Sequence, residues 1–187
     1  MRKIHFTENK YFHVTGVGSG GQELFLDAED RVKFLFLILY FQSPTKINNI
    51  NYYVKSFLKK GRFTLGEMRV KNILKDRYLE VVSFAITSKD FQLLIKNLKD
   101  GVLSVYMQRI LTSYSKYFNA KYKKTGHVFS GPFSAIQIKK DELTQTSRQI
   151  HKNYIETKAI ENVTGYDWSS HYDFAKKNRW GELLMIS

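Results

Sequence analysis

An α+β fold is predicted from three features of the sequence. Short runs alternate apolar and polar residues, longer runs carry apolar residues at helical spacing, and the two kinds follow one another in a recognisable order. The chain has 187 residues, of which 43% are hydrophobic. That is enough apolar surface for a packed core and argues against global disorder. One domain over residues 1–164 is expected, with an insertion at about 43–76 and a tail over 165–187 that packs back on the body.

The elements follow in order. Tyr11 to Thr15 is aromatic and β-branched with period two, so it reads as a strand. Gly16, Gly18, Gly20 and Gly21 then make a turn, with none of the βαβ context a dinucleotide fingerprint requires. Asp27 to Gln42 reads as a helix. Asp27 is placed as its N-cap with Asp30 three residues on, and Pro44 lies beyond its end. Asn49 to Lys60 is amphipathic through Ile50, Tyr53, Val54, Phe57 and Leu58, with Gly61 just past the last turn. Tyr78 to Thr87 and Phe91 to Asn97 form two strands joined through Ser88, Lys89 and Asp90. Val102 to Tyr122 is a long helix with Leu103, Met107, Ile110, Leu111, Tyr114 and Phe118 on one face. Phe133 to Ile138 is the fourth strand and Glu142 to Ile155 the last domain helix. With the inserted helix set aside, the order is β-α-β-β-α-β. That is the plan of a ferredoxin-like antiparallel sheet with helices packed on one face, here with a helical insertion and a C-terminal tail.

Lysine and arginine exceed the carboxylates by a formal charge of +13, which favours polyanionic partners. Residues 55 to 77 alone hold Lys55, Lys59, Lys60, Arg62, Arg69, Lys71, Lys75 and Arg77 against Glu67 and Asp76. They read either as a solvated face or as a phosphate-facing patch. The absence of cysteine excludes disulfides, thiolate metal sites and a cysteine nucleophile, and fits a reducing, cytoplasmic setting. Met1 to Lys10 has no apolar core, so no signal peptide is expected. Phe34 to Phe41 is the longest apolar run and is too short to span a bilayer, so no membrane partner is expected either.

Several segments, taken in order, resemble the REP-associated tyrosine transposases of the HUH single-strand (IS200-like) group. They are Tyr11 to Thr15 with Phe25-Leu26-Asp27 and Asp30-Arg31, the hairpin Ser83 to Ile95, and Met107-Gln108-Arg109 with Ser113 to Asn119. Gly126 to Phe129 with Gly131 and Phe133, then Arg148, Ile150, His151 and Asn153, and finally Trp168-Ser169-Ser170 complete the series. The resemblance leaves out about residues 43–76.

It implies a phosphoryl transfer from single-stranded DNA to a tyrosine, assisted by a divalent cation held on two histidines of one strand. This chain departs from that pattern where the chemistry resides. The histidine positions match Asp90 and Gln92 around Phe91, and the tyrosine position matches Gln149, so no catalytic set is intact. Asn153 keeps the polar residue one helical turn beyond, which places it beside Gln149. Pro132 replaces a basic residue. Tyr154, five residues past Gln149, and His151, two past it, fall off its face. Asp90, Gln92 and Asn153 are oxygen ligands of the kind Mg²⁺ or Mn²⁺ prefers, but one carboxylate would hold such an ion only weakly. No resident cofactor is therefore expected.

The expected function is binding of single-stranded or hairpin DNA without cleavage. Candidate contacts are Lys59, Lys60, Arg62, Arg109, Lys116, Lys121, Lys123, Lys124 and Arg148. Two other readings are an active transposase with a non-standard metal site and a regulatory subunit of an active relative. A homodimer is compatible with any of the three.

Overall fold

The computed structural model describes residues 5–61, 66–160 and 167–186. Strands β1 (Tyr11–Val17), β2 (Leu79–Ile86), β3 (Asp90–Asn97) and β4 (Ser134–Ile138) form one sheet in the order β2-β3-β1-β4, with every neighbouring pair antiparallel. Helix α1 (Ala28–Tyr40) connects β1 towards β2, and α4 (Val102–Tyr122) connects β3 to β4. This is the predicted β-α-β-β-α-β plan. Helices α2 (Ile50–Lys60) and α3 (Glu67–Lys75) are inserted between α1 and β2, α5 (Leu143–Ile160) follows β4, and the short α6 (His171–Ala175) lies in the tail. Among the described residues no helix is long and apolar enough to cross a membrane.

Strand alternation sorts the side chains. Gly16 pairs with Phe91 and Val14 with Leu93, so these residues share one face of the sheet, and Phe12 joins them by period two. The Phe91 ring lies 4.9 Å from Phe34 of α1, and Phe34 lies 5.1 Å from Tyr114 of α4, so α1 and α4 cover this face together. Asp27 caps α1 with a reciprocal capping box: its carboxylate accepts from the Asp30 backbone N–H, and Asp30 accepts from that of Asp27.

Helix α1 is buried on every side from Val32 to Tyr40. A single sheet cannot enclose a helix, so something must cover its outer surface. The insertion does so: Phe57 of α2 meets Phe36 edge-on at 5.7 Å, and Tyr53 meets Tyr40 at 6.4 Å. Helix α3, whose buried residue is Ile73, is a second inserted helix where the sequence pattern marked only a basic stretch.

β2 is an edge strand in the sheet order, yet all eight of its residues are buried. The tail occupies its outer margin. Trp168 O accepts from Ile86 N, Phe84 O accepts from Ser170 N, and Val81 O accepts from Met185 N. A bare strand margin is a template for unwanted pairing, and these bonds remove it. Trp180 anchors the same segment by stacking on Phe57 at 5.8 Å. Arg179 braces it through a bidentate ion pair to buried Asp173.

Candidate functional site

Asp90 opens β3 at the exit of a tight turn. Its backbone N–H donates to Thr87 Oγ1 at 3.1 Å, and its carbonyl accepts from Thr87 N at 3.0 Å. Phe91 then points into the core, and Gln92 points to the opposite face, as the one-residue gap requires. Gln92 pairs with Thr15, which puts His13, two residues along β1, on its own face. His13 Nε2 lies 3.1 Å from Gln92 Oε1, an N–H···O bond in the tautomer protonated at Nε2. Burial holds the His13 pKa below its ordinary value, with the Gln92 bond working against that. His13 thus belongs to this site, although its sequence carries no ligand spacing.

Helix α5 packs on β2 and β3. Ile150 and Tyr154 are its buried anchors, and the Tyr154 hydroxyl accepts from Trp168 N at 2.9 Å, so this phenol is committed to the tail. Gln149 is exposed on the outer side of the helix. Its Nε2 donates to Asn153 Oδ1 at 2.6 Å, the i, i+4 contact expected from the spacing. His151 is buried and lies 2.8 Å from Ser170 Oγ.

The residues do not fit a divalent cation. Such an ion needs several convergent oxygens or imidazoles. Gln92 Oε1 is engaged by His13, and Asn153 Oδ1 by Gln149. Among the described residues no three His, Cys, Asp or Glu side chains gather closely enough to hold a metal.

The basic candidates divide by where their charge goes. Arg109 donates to Ser43 O at 2.9 Å and to the Tyr78 hydroxyl at 2.7 Å, with its guanidinium 4.3 Å over the Phe41 ring. It fastens the chain as it leaves α1. Lys121 donates to Asp27 at 2.7 Å and to fully buried Asp30 at 2.9 Å. Burial works to lower the Lys121 pKa, but the bonds to Asp27, Asp30 and Tyr117 prevail and raise it. Asp30 also accepts from the Tyr117 and Tyr122 hydroxyls, so Lys121 is the positive centre of a clamp between α1 and α4. Arg109 and Lys121 therefore serve the fold, a role no one-dimensional pattern could assign.

Lys59 and Lys60 are exposed at the end of α2, Arg62 lies outside the described residues, and Arg148 is exposed on α5. Lys116, Lys123 and Lys124 are exposed along the C-terminal part of α4 and just beyond it. Lys116 borders an open groove of about 490 Å³ that also involves Ser115, Asn119, His127 and Phe129. His127 carries no sequence signal that would have placed it there.

The scaffold is thus ferredoxin-like, with exposed lysines along α4 and two polar pairs, His13–Gln92 on the sheet and Gln149–Asn153 on α5, that include positions to which the resemblance gives catalytic groups. No protein-family model matches the chain, and no curated protein sequence does either. Among solved structures the chain is similar to a REP-associated tyrosine transposase bound to a REP hairpin. The TM-score is 0.57 at 9% identity, covering 100% of this chain and 91% of that one. At that identity the likeness shows a shared fold. A bacterial tRNA(His) guanylyltransferase-like protein also aligns, in complex with GTP (TM-score 0.45, 13% identity, 86% of this chain and 71% of that one) and with ATP (0.44, 14%, 94% and 72%). At those scores the likeness carries no argument.

Proposed function

We propose that this chain is a member of the REP-associated tyrosine transposase group that binds single-stranded or hairpin DNA and does not cut it. The observation that carries the reading is the Gln149–Asn153 pair at the position the resemblance gives to the nucleophile. A tyrosine hydroxyl can lose its proton and take over the phosphate as a stable ester while the 3′ oxygen departs. A carboxamide can do neither. Asp90 and Gln92 stand where the two metal-holding imidazoles would be, so activation of the scissile phosphate is missing as well. The proposal therefore includes no resident metal cofactor.

Binding needs only charge and unpaired bases. Lys116, Lys123, Lys124, Arg148, Lys59 and Lys60 keep their charges exposed, and each phosphate they neutralise releases condensed counterions. The shared fold with a hairpin-bound transposase supports the same partner class.

The test is fluorescence anisotropy with labelled hairpin, linear single-stranded and duplex DNA across a salt series, beside a denaturing gel for adducts with Mg²⁺ or Mn²⁺. Salt-sensitive binding of hairpin or single strand with no covalent product is expected. A tyrosine-linked oligonucleotide from the unmutated chain would overturn the claim that it does not cut. Lack of binding at about 50 mM salt, where such contacts are strong, would overturn the claim that it binds.

A further inference from the structure

The insertion of residues 43–76 holds eight basic residues against two acidic ones, so it carries +6 of the chain's formal charge of +13. Between the α1–α2 connection and α3 it forms a recess of about 190 Å³. Thr45, Lys46, Ile47 and Asn48 make one wall, and Arg69 and Asn72 of α3 make the other. Sites that enclose a whole small molecule run to roughly 300–1,000 Å³, so this one suits a small ion or one group of a larger ligand. Its first wall is tied down. Thr45 N donates to Ser43 Oγ at 3.2 Å, and Arg109 donates to Ser43 O. Asn49 then turns the chain into α2 from the left-handed region at φ 60°, which asparagine tolerates.

Two features give the recess a chemical preference. Its lining holds two cations, Lys46 and Arg69, and no carboxylate, while Thr45, Asn48 and Asn72 are neutral groups able to donate. Lys46, Asn48, Arg69 and Asn72 are all exposed, so a ligand reaches them from solvent. The acids of the insertion stand elsewhere: neither Glu67 nor Asp76 lines the recess, and Glu67 is paired with Lys71 at 2.7 Å. Among the described residues no carboxylate lies within ion-pair distance of Lys46 or Arg69. The second feature is aromatic. The Arg69 guanidinium lies 5.2 Å over the ring of Tyr53, a buried residue of α2 that holds it in place. Tyr52 meets the same ring edge-on at 5.5 Å and is itself 68% exposed. An aromatic ring left in solvent beside a cationic recess offers a face to an unpaired base.

We propose that this recess is a phosphate site, through which the insertion adds a second nucleic-acid contact to the lysines of α4. Lys46 and Arg69 balance one backbone phosphate, Asn48 and Asn72 donate to its oxygens, and Tyr52 stacks on a neighbouring base. A neutral ligand would leave both cations unmatched, and a metal ion would be repelled. A bilayer of anionic lipid presents phosphates but no base for Tyr52. A free phosphate shares the chemistry of the recess. The strand as its source rests on the DNA-binding reading, and the preference for phosphate does not.

The chain is titrated with a labelled thymidine homopolymer strand by anisotropy across a salt series. Separately, inorganic phosphate is added while the side-chain amide signals of Asn48 and Asn72 are followed by NMR. Three variants accompany the wild type: the double change Lys46→Gln with Arg69→Gln, Tyr52→Ala, and Lys75→Gln, which removes a charge from an exposed position of α3 outside the recess. The double variant is expected to bind the strand about tenfold more weakly and to lower the slope of log binding constant against log salt by about 0.7, the share of one single-strand phosphate. Tyr52→Ala is expected to weaken binding about fivefold with the slope unchanged, because stacking carries no charge. Lys75→Gln should weaken it by less than about twofold. Phosphate should shift both amide signals in the wild type and not in the double variant. Should the double variant fail to fold by circular dichroism, Lys46→Gln alone carries the test. A strand bound equally by the double variant and by Lys75→Gln overturns the recess proposal and leaves the DNA reading standing. Phosphate bound through Lys46 and Arg69 with no strand bound supports the phosphate site and overturns the DNA reading. Neither ligand bound overturns both.

Discussion

The Phe91 ring lies against the backbone of Gly16, its cross-strand partner, so that a Cβ at position 16 would overlap Cε1 and Cζ of the ring. The ring has little room to retreat, because Phe34 packs on it at 4.9 Å and Phe129 at 6.1 Å. Phe91 is the residue between Asp90 and Gln92, so its seat on Gly16 fixes how both neighbours are presented.

Gly16→Ala should therefore destabilise the domain by about 1–3 kcal/mol, the cost of overpacking a filled core. Urea denaturation measures it, and pairing the change with Phe91→Leu should return part of the loss. Equal stability of Gly16→Ala and wild type would mean that the ring moves freely.

Lys121 and Lys116 should separate cleanly. Lys121→Met leaves Asp30 buried without its cation and should cost about 2–3 kcal/mol, discounted from a fully buried pair because Lys121 is partly exposed. Lys116→Ala, Lys123→Ala and Lys124→Ala should leave melting temperatures nearly unchanged. Each should lower the slope of log binding constant against log salt by roughly one. The opposite pattern would exchange the roles given to these residues.

Gln149→Tyr alone should yield no covalent DNA product with Mg²⁺ or Mn²⁺, because Asp90 and Gln92 supply no imidazole pair. Adding Asp90→His and Gln92→His should raise Mn²⁺ affinity, read as a metal-dependent rise in melting temperature. A DNA adduct from the single variant would show that cleavage does not need the imidazole pair.

The pH dependence follows from His151. Its pKa is about 4 when folded against 6.5 when free, so between these values the unfolded chain binds more protons. Stability should rise with pH across that window and level off above it. His13, also lowered by burial, adds to the slope with the same sign. His151→Gln should flatten the profile between about pH 4 and 6.5, and a variant as steep as the wild type there would contradict the assignment.

Much of the scaffold was legible because it rests on local periodicity. α4 begins and ends where its apolar face predicts, α2 and the strands shift by only a residue or two, and Asp27 caps α1 as placed. Helix α3 was hidden because a nine-residue amphipathic segment with a single buried residue looks like a charged loop. The i, i+4 partnership of Gln149 and Asn153 could be read from spacing on one helix, whereas that of His13 and Gln92 could not. Theirs depends on strand register between positions far apart in sequence. Likewise, nothing in the pattern of lysines tells Lys121 from Lys116, since the difference is the carboxylates of α1 folded against one of them.

The segment that closes the margin of β2 lies far along the sequence from the strand it covers. Leu184 bridges to Val81, so on the ribosome that strand stays uncovered until the segment around Leu184 has been made. Sealing of the sheet is thus timed by the synthesis of this segment, and chains cut short before it should give sticky, self-associating products.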